Sequence, residues 1–296
     1  MKKVISIIIS GMMILSQFAI FPVTTVNAVT RDSENVYEIE TAQDLVDFAT
    51  LVNNGETKAN AILTADINMN GINFDPIGTY SDYSGVRGYG DVTVYRGTFD
   101  GNGHIINNLT VTTNEKIETG LFGRGSGATV KNLGIKNAKI SNTAGVRAGI
   151  LAGELYYCSV SNVYTTGKVI TTEDKQKGGI AGESAGSTLT DCFSDFSPYT
   201  SGSDDVAVKS AINCGVCSEL FAFEGFGSEE RPFLISNKND LTKLSNLINA
   251  SATHDAYRKR YYKQTTDIDL NNIEFSPIGI YSNTLNIYRS FNGVYD

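Results

Sequence analysis

Few residues in this sequence are candidates for catalysis, and they do not form a recognisable catalytic motif. The two histidines, His104 and His254, belong to no H-E-x-x-H zinc motif and accompany no serine or cysteine nucleophile motif. A polysaccharide lyase needs a basic residue that abstracts a proton, and a hydrolase needs two carboxylates at a set spacing. The candidate basic residues are Arg87, Arg96, Arg124 and Arg147. No carboxylate pair recurs beside them in the register of the repeat described below, so we predict no catalytic residue and no cofactor. We interpret His104 as a turn or ladder residue.

Two segments resemble metal sites, and both depart from the pattern. The segment from Asp66 to Gly71 matches positions 1, 3, 5 and 6 of an EF-hand loop, but position 12 would be Ile77 where a bidentate glutamate is required. Its alternation of polar and apolar residues favours a strand over a calcium loop. The segment from Cys214 to Cys217 has zinc-like spacing without a second pair of ligands, and a local disulfide is the alternative there. Cys192 aligns with Val163 in the repeat, so for Cys192 we favour a buried thiol, and we predict no metal site.

A group of tyrosines is the candidate binding surface. Its members are Tyr80, Tyr83, Tyr89 and Tyr95, in and next to a loop rich in Tyr, Gly and Ser. Aromatic faces stack on sugar rings and also anchor contacts between proteins. The alternative is that these tyrosines pack on their own loop.

The elements that must position such residues follow a repeat of about 30 residues. A glycine-bounded motif occurs three times, as Gly120-Leu121-Phe122-Gly123, Gly149-Ile150-Leu151-Ala152-Gly153 and Gly178-Gly179-Ile180-Ala181-Gly182. The closing glycines are 30 and then 29 residues apart, and a second marker at Val130, Val160 and Leu189 keeps the same spacing. A fixed period of this length is typical of solenoids, propellers and arrays.

Each repeat has room for three short strands and three turns, which predicts one coil of a parallel β-helix. In that fold each inward side chain stacks on its counterpart one coil away. We therefore expect one buried ladder of Val130, Val160 and Leu189, and another of Leu121, Leu151 and Ile180. A bladed propeller is the alternative, but its repeats are longer, at about 40 to 50 residues.

These motifs resemble a known family. The glycine-bounded repeats resemble the GLUG motif of bacterial secreted and surface proteins, and the segment from Tyr95 to Leu109 resembles the stretch that precedes such repeats. The resemblance implies an all-β chain with a right-handed parallel β-helix, the fold shared with pectate lyases. It also implies that the chain is an adhesin-like surface protein or the non-catalytic front part of an IgA-specific metallopeptidase. The structural motif residues that it identifies are Gly120, Leu121, Phe122, Gly123, Gly149, Gly153, Gly178, Gly182, Asp100, Gly101 and Gly103.

The N-terminus predicts export. A short basic start, an apolar run and a small residue at Ala28 are typical of a signal peptide over residues 1–28, cleaved after Ala28; a retained anchor is the alternative. Nothing later in the sequence approaches the roughly 18 apolar residues needed to cross a bilayer. The net charge of −8 provides no basic face for nucleic acid. We predict a secreted or cell-surface protein with no nucleic-acid partner and no membrane span in the mature chain.

The remaining chain divides into two modules. Residues 29–224 form the β-helix module, with a capping helix at about 41–53 and regular coils at about 95–195. Residues 225–296 repeat the opening of that module at an offset of 196, or 201 in the segment containing Asp267 and Phe275. We expect this second module to be truncated, a fragment of a longer tandem protein, and residues 225–296 to be mobile or poorly packed.

The sequence thus predicts an interaction or spacer module that binds extracellular glycans or host or cell-surface proteins, through the solenoid face or the tyrosine-rich loop. One alternative is a polysaccharide lyase or glycoside hydrolase on the same scaffold. Another is the non-catalytic N-terminal region of a surface peptidase.

Overall fold

The computed structural model describes residues 36–79, 93–144, 147–171, 177–195, 212–213, 222–250, 257–282 and 287–296. The helices are α1 (Ala42–Asn53) and α2 (Lys238–Asn249). The strands are β1 (Val36–Ile39), β2 (Asn60–Leu63), β3 (Ile67–Asn68), β4 (Thr98–Asp100), β5 (Ile105–Asn107), β6 (Thr110–Thr113), β7 (Phe122–Ser126), β8 (Thr129–Asn142), β9 (Ala148–Gly149), β10 (Ala152–Tyr156), β11 (Ser159–Thr171), β12 (Lys177–Gly178), β13 (Ala181–Ala185), β14 (Thr188–Thr190), β15 (Phe193–Ser194), β16 (Ile212–Asn213), β17 (Phe233–Ile235), β18 (Tyr261–Gln264), β19 (Ile280–Ser282), β20 (Ile287–Arg289) and β21 (Val294–Tyr295). Neither described helix is long and apolar enough to cross a membrane.

The strands of the first module stack in parallel, one coil above another. The largest sheet runs β1-β2-β4-β8-β11-β15-β16, a second runs β13-β10-β7, and a third pairs β12 with β9. Every pairing between these strands is parallel, which excludes the antiparallel blades of a propeller. The predicted parallel β-helix is confirmed.

Both predicted ladders form the core of the coils. Val160 pairs with Val130 on one side and with Leu189 on the other, and all three side chains are buried. Leu121, Leu151 and Ile180 are also fully buried. Each buried aliphatic side chain contributes about 1.5–3 kcal/mol relative to an exposed one, so the stacked coils supply a continuous core.

Polar residues with left-handed backbone recur at one position of the coils, within β8, within β11 and directly after β14. Asn132, Asn162 and Asp191 recur one coil apart with φ of 53°, 55° and 50°. The Asn162 side-chain amide donates to Asn132 Oδ1 at 3.0 Å, and the amide of Asn132 donates to Asp100 Oδ1 at 3.2 Å. Asn and Asp tolerate this conformation because their short polar side chains bond locally. The closing glycine at Gly153 has a different reason: a Cβ there would collide with the backbone of Thr119.

Helix α1 covers the first coil, as predicted. Thr41 and Asp44 form a complete capping box at its N-terminus. Its buried face is Leu45, Phe48, Ala49 and Val52. The Phe48 ring lies 5.8–6.1 Å from the rings of Tyr37, Tyr95 and Phe99, centroid to centroid. The helix therefore shields the apolar end of the stack from water.

The second module has a packed core, so the expectation of poor packing over residues 225–296 is wrong for the buried residues within 226–250 and 257–262. Its buried members are Tyr164, Phe193, Phe223, Phe226, Phe233, Ile235, Leu244, Leu247, Ile248, Tyr257 and Tyr262. Two of these, Tyr164 and Phe193, belong to coils of the first module, where they pair in register on β11 and β15. The second module is therefore packed against the flank of the solenoid. The module boundaries themselves stay predictions.

Two arginines of the second module fix this junction. Arg260 Cζ lies 5.1 Å from the Tyr164 ring centroid, and Arg260 Nη1 donates to Asn162 Oδ1 at 2.8 Å. Arg231 Nη1 donates to the Gly103 carbonyl at 2.6 Å and lies 2.7 Å from His104 Nδ1. Because arginine only donates, the contact with Nδ1 is a hydrogen bond when that nitrogen is unprotonated.

Candidate functional site

The predicted tyrosine surface does not hold for the one member that is described. Tyr80, Tyr83 and Tyr89 lie outside the described residues. Tyr95 is fully buried, and its hydroxyl donates to the Ala59 carbonyl at 3.0 Å. Its ring stacks on Phe122 at 5.2 Å, and burial raises the pKa of its hydroxyl far above the ordinary value. Tyr95 is thus a core residue and not a binding residue, because its hydroxyl finds a backbone partner inside the first coil.

Other residues singled out from the sequence have structural roles. Asp66 Oδ1 accepts from the Ile105 amide and lies 3.0 Å from His104 Nδ1, so it links two neighbouring coils. Asp100 Oδ1 accepts from the Asn102 amide at 2.8 Å, and Gly103 has φ of 75° in the same turn. In the described part of the chain, no group of three His, Cys, Asp or Glu residues is placed to hold a metal ion.

Two of the four cysteines lie in the described part of the chain. Cys192 is a buried free thiol, as predicted; Cys158 is also a buried free thiol, and burial raises its pKa. Cys214 and Cys217 lie outside the described residues.

A ladder of charges runs across the outer face of the β7-β10-β13 sheet. Arg124, Glu154 and Glu183 occupy matched positions on β7, β10 and β13, one per coil. Leu155 points into the core, so the alternation of a strand places Glu154 and Tyr156 on the opposite face. The expectation that no carboxylate pair recurs beside the arginines in the register of the repeat is therefore wrong, because Glu154 and Glu183 share the register of Arg124. We call Arg124, Glu154 and Glu183 the charged ladder.

Glu118 and Arg147 join the charged ladder from a neighbouring turn. Arg147 Nη1 lies 3.5 Å from Glu118 Oε1 and 3.8 Å from Glu154 Oε2, and Arg147 Nε bonds to Glu183 Oε2. Arg124 Nε lies 3.4 Å from Glu154 Oε2. These five residues form one connected charged cluster of three carboxyl groups and two guanidinium groups.

Glu118 is the unusual member of the charged cluster. Its side chain is 4% exposed, and its Oε2 atom has no hydrogen-bond partner among the described residues. Burial raises its pKa to about 7, and the nearby charge of Glu154 acts in the same direction, while Arg147 and Arg124 oppose it. Near neutral pH the cluster therefore alternates between a net charge of −1 and zero as Glu118 loses or takes up a proton.

An exposed pair of tyrosines borders the charged cluster. Tyr156 and Tyr157 are 39% and 64% exposed, and their rings meet edge to face with centroids 4.5 Å apart. Arg124 Cζ lies 5.9 Å from the Tyr156 ring centroid. Tyr157 has φ of 51°, and its ring lies against Gly186, where a Cβ would be 2.5 Å from the ring. We call the two tyrosines and the charged cluster together the tyrosine–charge face.

The tyrosine–charge face offers stacking surfaces beside fixed hydrogen-bonding groups. Arginine is a donor only and a carboxylate is an acceptor only, so the partly exposed Arg124, Arg147 and Glu183 present both kinds of group. Such a surface suits a ligand whose rings stack and whose hydroxyl groups both donate and accept. The charged ladder has a signal in the sequence, because each of its members directly follows a closing glycine. Arg124 follows Gly123, Glu154 follows Gly153 and Glu183 follows Gly182.

Comparison with known proteins gives partial similarities. No family model matches the chain. Halomucin of Haloquadratum walsbyi is 31% identical over 163 residues, which covers 50% of this chain and 2% of halomucin. A crystal structure of a candidate immunoglobulin A1 protease from Bacteroides ovatus has a TM-score of 0.47 and 26% identity, over 56% of this chain and 48% of that chain. This chain is thus similar to a short part of halomucin.

Proposed function

We propose that this protein is an extracellular, surface-associated β-helix that binds a glycan through the tyrosine–charge face. The observation that carries this proposal is the exposed Tyr156–Tyr157 pair beside the charged cluster. Most aromatic rings of the described coils lie in one of the two cores, whereas these two face solvent on a rigid strand end. An exposed aromatic pair flanked by polar groups is a common form of recognition site.

The geometry favours a glycan over a protein ligand. A protein interface needs an apolar centre of several large side chains surrounded by a polar rim. Here two rings adjoin five ionisable groups, and the partly exposed Arg124, Arg147 and Glu183 can bond hydroxyl groups directly. A protein ligand of the adhesin type stays the second candidate.

The extracellular setting belongs to the same proposal. The signal peptide over residues 1–28 lies outside the described residues, and its support is the sequence pattern together with the similarity to part of halomucin. Membership of the GLUG-type surface proteins rests on the glycine-bounded motifs and on the segment from Tyr95 to Leu109. Expression in a bacterial host with N-terminal sequencing of the exported product tests the first point, and a mature chain beginning at Val29 is expected.

Binding to a glycan panel by calorimetry or affinity electrophoresis tests the function. Tyr156→Ala and Tyr157→Ala should each weaken binding by at least about fivefold, since one stacked ring contributes about 1 kcal/mol. Tyr281→Ala is the matched control, because Tyr281 is 69% exposed on the β19–β20 hairpin and belongs to a similar edge-to-face pair. An equal loss in the control, or no loss in the two variants, would contradict the proposal. Release of new reducing or unsaturated ends would indicate an enzyme instead.

A further inference from the structure

We infer that the ligand of the tyrosine–charge face is a neutral polysaccharide and not an anionic one. This inference rests on the proposed function and names the chemical class of its ligand. It follows from how the charges of the face are already paired, from their balance, and from the length of the charged ladder.

Both guanidinium groups already face carboxylates of the same chain. Arg147 contacts Glu118, Glu154 and Glu183, and Arg124 lies 3.4 Å from Glu154. A uronate, sialate or sulfate group would have to replace one of these carboxylates to form a bidentate arginine pair. A displaced Glu154 would stay buried, since its side chain is only 8% exposed. Removing one partner of a buried ion pair is strongly destabilising, so displacement is unfavourable.

The balance of charge also opposes an anion. The charged cluster has three carboxyl groups against two guanidinium groups, and the whole chain carries −8. An added negative charge beside a carboxylate is repelled more strongly at a protein surface than in bulk water, because the effective dielectric constant there is lower. Protonation of Glu118 lowers this repulsion but provides no positive excess.

A neutral polyol fits the same groups without displacing any of them. Each hydroxyl group can donate to a carboxylate oxygen of Glu183 and accept from an arginine N–H, so the presence of both kinds of group matches hydroxyl chemistry. Glu183 is 31% exposed, Arg147 is 25% exposed and Arg124 is 22% exposed, so all three can be reached from solvent.

The length of the charged ladder favours a chain of sugars over a single sugar. Arg124, Glu154 and Glu183 lie on three successive coils. Parallel strands are about 4.8 Å apart, so the charged ladder extends about 10 Å along the solenoid axis. That distance exceeds one pyranose ring, and Tyr156 and Tyr157 lie on the middle coil, where a ring in the interior of a polysaccharide would stack.

The test uses the full chain and two polysaccharide pairs that are matched in backbone and differ in charge. The pairs are dextran with dextran sulfate, and hydroxyethyl cellulose with carboxymethyl cellulose. We expect binding to a neutral member at least about tenfold tighter than to its anionic partner, and weaker binding of that neutral member by Tyr157→Ala. Tighter binding of the anionic members would overturn this inference and leave the proposed function standing. Binding to none of the four, and to nothing in the wider glycan panel, would overturn the proposed function and the inference with it.

Salt and one substitution sharpen the result. Neutral binding should stay within about twofold between 50 and 500 mM NaCl, because no ion pair forms with the ligand. Glu183→Gln should leave the thermal midpoint nearly unchanged, weaken neutral binding by less than about fivefold and improve binding of the anionic partner. If that variant fails to fold, the salt dependence of the unmodified chain decides, and a steep loss of neutral binding with salt would contradict the inference.

Discussion

The two copies of the module opening are built alike and buried differently. In the first copy Tyr37, Ala61 and Phe99 are neighbours on adjacent parallel strands, and in the second copy Phe233, Tyr262 and Tyr295 occupy the matching positions. Phe99 is fully buried beneath the next coil, whereas Tyr295 is 37% exposed. The second copy instead covers its rings with Tyr164 and Phe193 from the flank of the first module.

This difference shows what the opening of a module requires. A capping helix and two or three short strands bury one side of each ring, and a second apolar surface must bury the other. In the first copy, later coils provide that surface. In the second copy, a neighbouring module provides it, with Arg260 and Arg231 fixing the contact. The same sequence pattern is therefore stable in two different settings.

The largest contrast should appear when the matching rings are removed. Phe99→Ala should lower the free energy of unfolding by about 3–5 kcal/mol, because it leaves a cavity in the coil core. Tyr295→Ala at the equivalent position should cost less than about 1 kcal/mol, since the ring is partly exposed. Urea unfolding of both variants measures this, and equal losses would show that the two copies are buried alike.

Loss of the shared ring at the junction should separate the two modules. Tyr164→Ala should reduce the stability of residues 226–262 by about 2–4 kcal/mol, because it removes the ring against which Phe226 stacks at 5.2 Å. Hydrogen exchange should show loss of protection in α2, with little change in α1. Tyr157→Ala serves as a control for an exposed ring. Equal loss of protection in α1 and α2 would mean that the modules unfold together.

The stability of the first module should depend on pH through the buried side chain of Glu118. The pKa of Glu118 rises from 4.5 to about 7 on folding, so the folded state holds its proton more tightly. This contribution to stability is complete below pH 4.5 and is lost as the pH rises through about 7. We expect the unfolding free energy to fall by on the order of 2 kcal/mol between pH 5 and pH 8, and Glu118→Gln to remove that fall. A variant with the same pH profile as the unmodified chain would exclude Glu118 as its source.

Equivalent asparagines should behave alike in both copies. Asn53 donates to the Pro76 carbonyl and accepts from the Gly78 amide, and Asn249 does the same with Pro277 and Gly279. Asn53→Ala and Asn249→Ala should each cost about 1–2 kcal/mol, because each leaves backbone groups without their partner. Local hydrogen exchange at Gly78 and Gly279 reports each loss. A much smaller effect at Gly279 would indicate that the second copy is held mainly by its aromatic contacts.

The smallest effect should be a pH response of opposite sign at the junction. Burial and the Arg231 charge lower the pKa of His104, although Asp66 opposes the shift. The stabilisation is therefore present above pH 6.5 and is lost as the pH falls through the lowered pKa. Between pH 7.5 and pH 5, protection of residues 226–235, corrected for intrinsic exchange rates, should fall slightly. His104→Gln, which can still accept from Arg231, should abolish that fall, and an unchanged fall would exclude His104.

The sequence predicted the coil architecture because glycine spacing and ladder spacing report the same period. Val130, Val160 and Leu189 could be placed together from their numbers alone. Tyr95 was misinterpreted because the pattern of a loop does not show that a hydroxyl will reach the Ala59 carbonyl. The charged ladder was not predicted, because the repeat was aligned on its glycines and apolar residues. The position after each closing glycine, which is Arg124, Glu154 and Glu183 in turn, was not compared between coils. The contact between the two modules could not be predicted from the sequence, because Tyr164 and Phe193 pack against residues that are distant in the chain.

One irregularity in the coils bears on how such a protein can change length. The pairing of β8 with β11 shifts between Thr165 and Gly167, so that the separation of paired residues drops from 30 to 29. Thr166 lies alone across from a pair of residues, and its hydroxyl accepts from the Asn137 amide at 3.0 Å. Ladders on both sides of this bulge keep their stacking. At such a bulge, evolution or a protein engineer can add or delete a residue without changing the stacking of the neighbouring coils.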